Sequence, residues 1–325
     1  MSPRTRVLVV VAAAVAAAAV TTVGGTILLS RGQETSSAAR TGLRSGRPPL
    51  ALDFGVRSDA EAVALRRAAS LYARGRQREA RTVFERYDSL DARVGSAVAA
   101  WPDGTLAALD RLAREHPASG VVRLHLGLAL LWSRQDAEAL AQWRRALRVD
   151  PDSPAAIEAE NLLYPRLFRG RPTFVPGFVA PPELARLPPR QALQLLARRA
   201  RGRDAHAKLL YGIALQRLGR SVSAEGQFRA AAALAPRDPE ARVAAAVGLF
   251  TKSNPSLAFS RLGPLVQTFP RAATVRFHLG LLLLWLGRAG EAKHQLVLAR
   301  ADAPGSTLGR EANRFLVRLE GIGTR

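Results

Sequence analysis

The sequence of 325 residues contains no cysteine, one methionine and few aromatic residues, which make up 6% of the chain. Without cysteine it can form no disulfide framework, no zinc–thiolate site and no thiol nucleophile. It also lacks the alternation of apolar and polar residues that marks β-strands, because its valines and isoleucines lie in runs with the helical period. These absences predict an all-α protein.

Motifs for catalysis and metal binding are missing as well. The sequence contains no G-x-S-x-G, Walker, G-x-G-x-x-G or H-E-x-x-H motif. None of its five histidines pairs with another at the i, i+4 spacing of a helical metal site. We therefore expect no enzymatic activity, no cofactor and no bound metal.

The charge is strongly one-sided. Basic residues outnumber acidic ones by 48 to 26, for a formal net charge of +22, and all but three of the basic residues are arginine. An anionic surface, such as lipid headgroups or a phosphate polymer, would suit this charge. Scattering of arginine through the whole chain favours a compositional bias instead. Nucleic acid is the least expected partner, because base stacking needs aromatic residues interleaved with basic ones.

One stretch of sequence occurs twice. Residues 117–132 read PASGVVRLHLGLALLW and residues 270–285 read PRAATVRFHLGLLLLW, with 10 of 16 positions identical. Within each copy a 34-residue frame recurs, with frames starting at 120, 205 and 273 and a less regular one at 61. Two degenerate units contain the paired sequences of 91–101 and 240–250. Self-similarity on this period predicts supersecondary units that were copied and stacked.

The frame resembles the tetratricopeptide repeat (TPR) family. In the frame starting at residue 120, the residues that carry the resemblance are Leu126, Gly127, Ala139, Trp143, Ala146 and Pro151. The resemblance implies a right-handed α-solenoid of helix-turn-helix repeats in two duplicated halves, with a concave groove that binds a protein or peptide. One departure is that Arg123, Lys208 and Arg276 stand where the family usually has a bulky apolar residue.

The N-terminus indicates a membrane anchor. Residues 7–30 carry no charge and follow Arg4 and Arg6. As a helix they would extend about 36 Å, more than the roughly 30 Å hydrocarbon core of a bilayer. A cleaved signal peptide is the alternative, although its apolar stretch is usually shorter. The preceding arginines favour a single-pass protein of the plasma membrane with its repeats outside; Arg31 and the arginines after it argue for the opposite orientation.

The remaining segments complete a predicted domain plan. Residues 1–6 form a short head, 7–30 the transmembrane helix and 31–58 a flexible tether rich in Ser, Gly and Arg. Repeats occupy 59–168 and 188–320, the second set ending in a capping helix. Between them, 169–187 reads as a Pro-rich linker whose proline content excludes a helix. This linker and its flanks carry Phe168, Phe174 and Phe178, too many apolar residues for a free connection.

The duplicated helices predict the binding site. They are apolar on nearly every side, so they should be buried on nearly every side. The groove would show eight residues: Leu124, His125, Leu128, Trp132, Phe277, His278, Leu281 and Trp285. We expect these faces to be covered internally, either by residues 168–181 or by the other copy. The alternative is that they bind an apolar peptide or lipidic ligand. The duplicated histidines read as buried residues bonded to a neighbour or as groove contacts.

These observations predict a membrane-anchored, non-catalytic scaffold or adaptor that binds a protein or peptide partner. An envelope carrier or sensor for an apolar or anionic small ligand is the alternative. A purely architectural protein acting through its arginine surface is a third interpretation.

Overall fold

The computed structural model describes residues 43–323. The predicted head, the membrane segment and residues 31–42 of the predicted tether lie outside the described residues. Among the helices of residues 43–323, none is long and apolar enough to cross a membrane. The described chain divides into two compact units, 43–163 and 164–323.

The first unit consists of an extended segment, residues 43–54, followed by seven helices. We call this segment the first strap. The helices are α1 (Ala60–Ala73), α2 (Gln77–Phe84), α3 (Leu90–Ala99), α4 (Thr105–Glu115), α5 (Gly120–Trp132), α6 (Asp136–Val149) and α7 (Pro154–Leu163). Successive helices pack in antiparallel pairs, as the repeat frame predicts.

The second unit follows the same plan. An extended segment, residues 167–178, is the second strap. The helices are α8 (Pro182–Ala185), α9 (Pro189–Arg199), α10 (Ala205–Arg217), α11 (Ser221–Leu234), α12 (Pro239–Gly248), α13 (Ser256–Leu262), α14 (Leu265–Thr268), α15 (Ala273–Trp285), α16 (Ala289–Asp302) and α17 (Thr307–Gly323). The described residues are thus all-α, built from helix-turn-helix units without strands.

The small residues of the frame lie where two helices approach most closely. A Cβ atom added to Gly127 of α5 would overlap the indole of Trp143 on α6, and one on Gly212 would overlap Phe228. One on Gly280 would lie 2.9 Å from Cγ of Leu296. The glycine and the large residue therefore fill one space between paired helices, which explains their fixed spacing in the sequence.

Turn and cap residues fix the ends of the paired helices. The turn glycines Gly75, Gly219 and Gly287 have φ values of 85°, 69° and 74°, which side chains disfavour. In the repeat that starts at 120, Arg134 adopts this conformation instead, with φ 63°. Ser119 caps α5 by accepting a hydrogen bond from the backbone N–H of Val122.

The degenerate repeats differ between the units. In the first unit α4 is one continuous helix of 11 residues. Its counterpart in the second unit is broken into α13 and α14 by Gly263 and Pro264. Proline cannot donate to the helical ladder and its ring clashes with the preceding turn. The second unit therefore has two short helices before Pro270, where the first unit has one helix before Pro117.

Candidate functional site

The predicted groove residues are buried within their own units. His125, Leu124 and Leu128 on α5 are at most 1% exposed, while Trp132 at its end is half-buried. On α15, Phe277, His278, Leu281 and Trp285 are at most 6% exposed. Each helix is covered on its groove side by a strap. Direct contacts with a strap are made by His125 and Trp132 on α5 and by His278 and Trp285 on α15. Leu124 and Leu128 lie in one cluster with Trp143 of α6, and Phe277 contacts Phe315 of α17.

The second strap contacts α15 through Phe168 and Phe174, and α10 through Phe178. Phe168 lies edge-on to Trp285 with ring centroids 5.5 Å apart. Phe174 stacks on His278 at 5.1 Å and contacts Phe228 edge-on at 5.6 Å. Phe178 lies 4.2 Å from the His206 ring. The expectation that residues 168–181 cover an apolar groove agrees with these contacts in the second unit, where Phe174 is 2% exposed.

The first groove is covered differently from expectation. Its cover is the first strap, part of the segment predicted to be a flexible tether. Arg44 donates from its backbone N–H to the carbonyl of Trp132 and from Nε to that of Leu131, at 2.8 and 2.7 Å. Tyr72 donates its hydroxyl to the carbonyl of Pro48 at 2.6 Å. Residues 43–54 therefore pack as part of the first unit, and the tether prediction is corrected for them.

The Pro-rich linker needs a similar correction. Its residues Pro182–Ala185 form the short helix α8, although the proline content was expected to exclude a helix. Residues 169–178 of the predicted 169–187 linker belong to the second strap. Gln216 binds the backbone of Phe174 twice, accepting from its N–H at 2.9 Å and donating to its carbonyl at 3.2 Å. A backbone held on both polar groups is fixed in place rather than a free connection.

The duplicated histidines fasten the straps. Nδ1 of His125 lies 2.7 Å from the carbonyl of Val121, and Nδ1 of His278 lies 2.7 Å from the carbonyl of Thr274. A carbonyl only accepts, so we assign the ring proton to Nδ1 in both residues. Nε2 is then left as an acceptor, and it faces a strap N–H in each unit.

The strap hydrogen bonds match between the two units. The N–H of Ala51 donates to Nε2 of His125 at 3.1 Å, and that of Val175 donates to Nε2 of His278 at 2.9 Å. Both imidazoles are wholly buried, and burial lowers the pKa of each to about 4. Each ring is therefore neutral near pH 7 and binds backbone. The sequence identified both residues but could not identify what they bind.

A half-buried carboxylate, Glu240, holds the end of the second strap. Both oxygens of Glu240 accept from the N–H of Gly177, each at 3.2 Å. Burial raises the pKa of Glu240 to about 7. Nothing in the sequence drew attention to this residue, because a glutamate in the first turn of a helix is common at the surface.

The basic residues that replace the family's apolar residue serve the repeat interfaces. Arg123 is 7% exposed and donates to the carbonyl of Ala113 at the end of α4, at 2.8 Å. Lys208 donates to the carbonyl of Ala200 just after α9, at 2.5 Å. Each cation thus satisfies a carbonyl at the end of the preceding helix. Arg276 donates to the side-chain oxygen of Gln295 on its paired helix.

Many of the other arginines are exposed and paired locally. Arg57 contacts Asp59 and Glu61, while Arg288 contacts Glu291 at 2.6 Å. Ion pairs of this kind stabilise little and hold each charge in solvent. Within residues 43–323, no group of acidic and histidine side chains is arranged to hold a metal ion.

Several matching solved structures are TPR proteins. YrrB, described as a TPR protein with an unusual peptide-binding site, is 18% identical with a TM-score of 0.32, covering 64% of this chain and 99% of its own. A tetratricopeptide repeat protein from Parabacteroides merdae is 13% identical with a TM-score of 0.35, covering 80% and 98%. The TPR2AB domain of yeast Sti1, in a complex with pHSP90, is 12% identical with a TM-score of 0.31, covering 80% and 98%. No protein-family model and no curated protein matches the chain.

Proposed function

We propose that the chain is a non-catalytic, TPR-like scaffold whose grooves bind an extended segment of a partner polypeptide. The observation that carries this proposal is the strap contact itself. In each unit a buried histidine binds the backbone of an extended segment, and so does a second side chain, Tyr72 on α1 or Gln216 on α10. Binding through backbone groups suits a peptide, because any sequence offers N–H and carbonyl groups at regular spacing.

The groove chemistry favours a peptide over a small ligand. The alternative, a carrier for an apolar or anionic small molecule, needs unfilled space between the paired helices. Instead, Phe174 and Phe168 of the second strap fill the apolar space beside Trp285 and Phe228. A partner peptide would have to compete with the strap for the same contacts.

The test is capture of a partner by variants with a weakened strap. The full-length protein with Phe168, Phe174 and Phe178 replaced by Ser is compared with wild type and with Val63→Ser, whose side chain is on an exposed position of α1. Chemical crosslinking in cell membranes, followed by mass spectrometry, locates the bound partner. We expect more partner crosslinked to peptides from α15 in the strap variant. Equal crosslinking in all three proteins, or crosslinks remote from α5 and α15, would reject the groove as the binding site.

We also propose that residues 7–30 anchor the protein in the plasma membrane with its repeats outside. The uncharged run of 24 residues behind Arg4 and Arg6 supports this. The full-length protein should resist extraction from membranes by alkaline carbonate, and protease added to intact spheroplasts should digest its repeats. Release by carbonate would remove the anchor from the proposal, and complete protection of the repeats would reverse the orientation.

An anionic surface is a second proposed contact. The net charge of +22 supports it, together with the exposed arginines of the repeats. Sedimentation with vesicles of anionic lipid should decrease as salt is added, since exposed charges are screened. Binding that does not depend on salt would exclude this contact.

A further inference from the structure

The two straps are copies of one sequence motif. Aligned on the N–H groups that bind histidine, the straps share Gly46 with Gly170, Arg47 with Arg171, Pro48 with Pro172 and Phe54 with Phe178. The offset is 124 residues, whereas the helices α5 and α15 are offset by 153. The four shared residues occur in the same order and spacing in both straps, although the straps and the helices they cover have different offsets. This indicates that each strap was duplicated together with its groove.

The glycine of the motif is required by the backbone. Gly46 and Gly170 have the same φ of +82°, in the region that side chains rarely adopt. No atom lies within 4 Å of a Cβ added to Gly46, and the nearest to one on Gly170 is a Trp285 carbon at 4.0 Å. The conformation, rather than crowding, therefore selects glycine at this position.

The arginine of the motif binds beside the turn between paired helices in both units, at the end of the first helix in one unit and at the start of the second helix in the other. Arg47 donates to the carbonyls of Tyr72 and Ala73, at 2.7 and 3.1 Å, beside the turn between α1 and α2. Arg171 donates to the hydroxyl of Ser221, at 3.0 Å, at the start of α11. Both turns occupy the same position of the 34-residue frame. Helix C-terminal carbonyls attract cations, so the first unit selects arginine most directly.

Side chains at the same position of the frame bind the strap backbone in both units, at strap positions two residues apart. Tyr72 and Gln216 each stand eleven residues after the start of their frames. The first binds the carbonyl of Pro48 and the second binds the N–H and carbonyl of Phe174. The two apolar residues that follow, Leu50-Ala51 and Phe174-Val175, then present an N–H to histidine.

The last phenylalanine of each strap lies against the first helix of a repeat, α1 for Phe54 and α10 for Phe178. Phe54 is 7% exposed, with the guanidinium carbon of Arg66 on α1 5.5 Å from its ring centroid. Phe178 lies against His206 on α10. Both rings contact a side chain that is cationic or aromatic. The two units thus share the glycine conformation, the bond from a strap N–H to histidine, and a strap-binding side chain at the same position of the frame. The partners of the arginine and of the last phenylalanine differ between the units.

We propose that both grooves select one linear motif, Gly-Arg-Pro-x-Φ-Φ-x-x-Phe with Φ apolar, and that the partner segment carries this motif. The inference rests on the proposed peptide-binding function and specifies its ligand as an extended peptide with one cation. The straps are the resident occupants. Because they are tethered to their grooves, their effective concentration is high, and a partner must compete against it.

The first test uses synthetic peptides of residues 43–55 and 167–179. A site-specific protease sequence is inserted between Gly55 and Val56 of the full-length chain, at an exposed turn. The cleaved protein is unfolded and refolded with an excess of fluorescent peptide, so that slow release of its own strap does not limit exchange. We expect both peptides to bind the first groove and to displace each other.

Matched variants of peptide 43–55 test the motif itself. Arg47→Glu should bind at least about tenfold more weakly, because the hydrogen bonds to the helix end are lost. Gly46→Val should weaken binding similarly through its strained backbone. Asp53→Asn, which changes an exposed side chain outside the motif, should bind within about twofold of wild type.

The outcomes separate this inference from the function on which it rests. If peptide 43–55 binds and peptide 167–179 does not, the shared motif is rejected while peptide binding by the groove stands. If neither peptide binds, both proposals fail.

The second test asks whether the occupant comes from another molecule. A soluble carrier protein with two copies of the motif should bind the intact full-length chain, and the same carrier with Arg→Glu in both copies should not. Binding only to the cleaved chain would overturn the partner assignment, because the intact grooves would be closed. Dimers of the intact chain that dissociate on adding peptide 43–55 would also overturn it, identifying a second copy of this chain as the occupant.

Discussion

Burial of a neutral His278 against the second strap should make the stability of the second unit depend on pH. The neutral ring accepts the N–H of Val175 at Nε2, and a proton there would turn the acceptor into a donor facing a donor. The pKa of His278 is lowered to about 4 by burial, whereas an unfolded histidine titrates near 6.5. Its contribution to stability is therefore present above pH 6.5 and is lost as the pH falls toward 4.

The magnitude follows from these two pKa values. Between pH 7.5 and pH 5, the unfolded state takes up a proton that the folded state does not, which costs about 2 kcal/mol of unfolding free energy. Glu240 acts in the opposite sense in the same unit. Its folded pKa of about 7 lies above the unfolded value, so its contribution is present at low pH and is lost as the pH rises through 7. Over the same range it offsets the histidine by a similar amount, about 2 kcal/mol.

The assay is hydrogen exchange of the strap and α15 in the full-length protein, with denaturant melts at pH 7.5 and pH 5. Wild type should change little in the second unit, since the two groups oppose each other. His278→Gln should become about 2 kcal/mol more stable at pH 5 relative to pH 7.5, because only Glu240 still titrates. His294→Gln, on an exposed position of α16, is the control and should follow wild type. If His278→Gln has the pH dependence of wild type, the assignment of a neutral, strap-binding imidazole is wrong.

Three further changes test the same structure. Glu240→Gln should make the second unit lose about 2 kcal/mol on going from pH 7.5 to pH 5, measured by the same melts, because the histidine then titrates unopposed; an unchanged profile would contradict the raised pKa. Gly127→Leu should lower the free energy of unfolding by roughly 1–3 kcal/mol, because the new side chain forces α5 and α6 apart at Trp143. The effect would be measured as a lower melting temperature. Melting at the wild-type temperature would contradict the close helix contact that the repeat frame predicts. Phe174→Ala should cost about 3–5 kcal/mol and raise binding of a hydrophobic dye, whereas Val179→Ala at an 82% exposed position should do neither; equal effects would show that the second strap is not part of the core.

The repeat frame explains why the helices could be predicted so closely. A helix and its paired partner are specified by residues within one 34-residue unit, so local period, glycine and proline suffice. The capping helix expected at the end of the second set of repeats, which was predicted to reach residue 320, is observed as Thr307–Gly323. Helix α7 ends at Leu163, two residues before Pro165, because the residue before a proline is disfavoured in the helical region.

The buried state of the apolar helices could also be inferred from sequence. Helices α5 and α15 have no polar face wide enough for solvent, so the sequence required a cover. The three phenylalanines in a proline-rich segment indicated the cover of the second groove, and their contacts with Trp285, Phe228 and His206 agree with it. The first strap has one phenylalanine, Phe54, and its glycine, serine and arginine content resembled a tether.

Only the tertiary structure decided how the straps bind. The N–H groups of Ala51 and Val175 meet histidines 74 and 103 residues further along the chain, and no local pattern encodes contacts of that separation. The composition of the first strap indicated a polar segment but not the residues that it binds, because backbone hydrogen bonds do not depend on side-chain type. The motif shared by the straps is present in the sequence. It is not seen at the offset of 153 residues that relates the duplicated helices, because the straps are offset by 124. Sequence determined the helices and their need for a cover, because period and hydrophobicity are local; long-range backbone contacts determined which segments provide that cover.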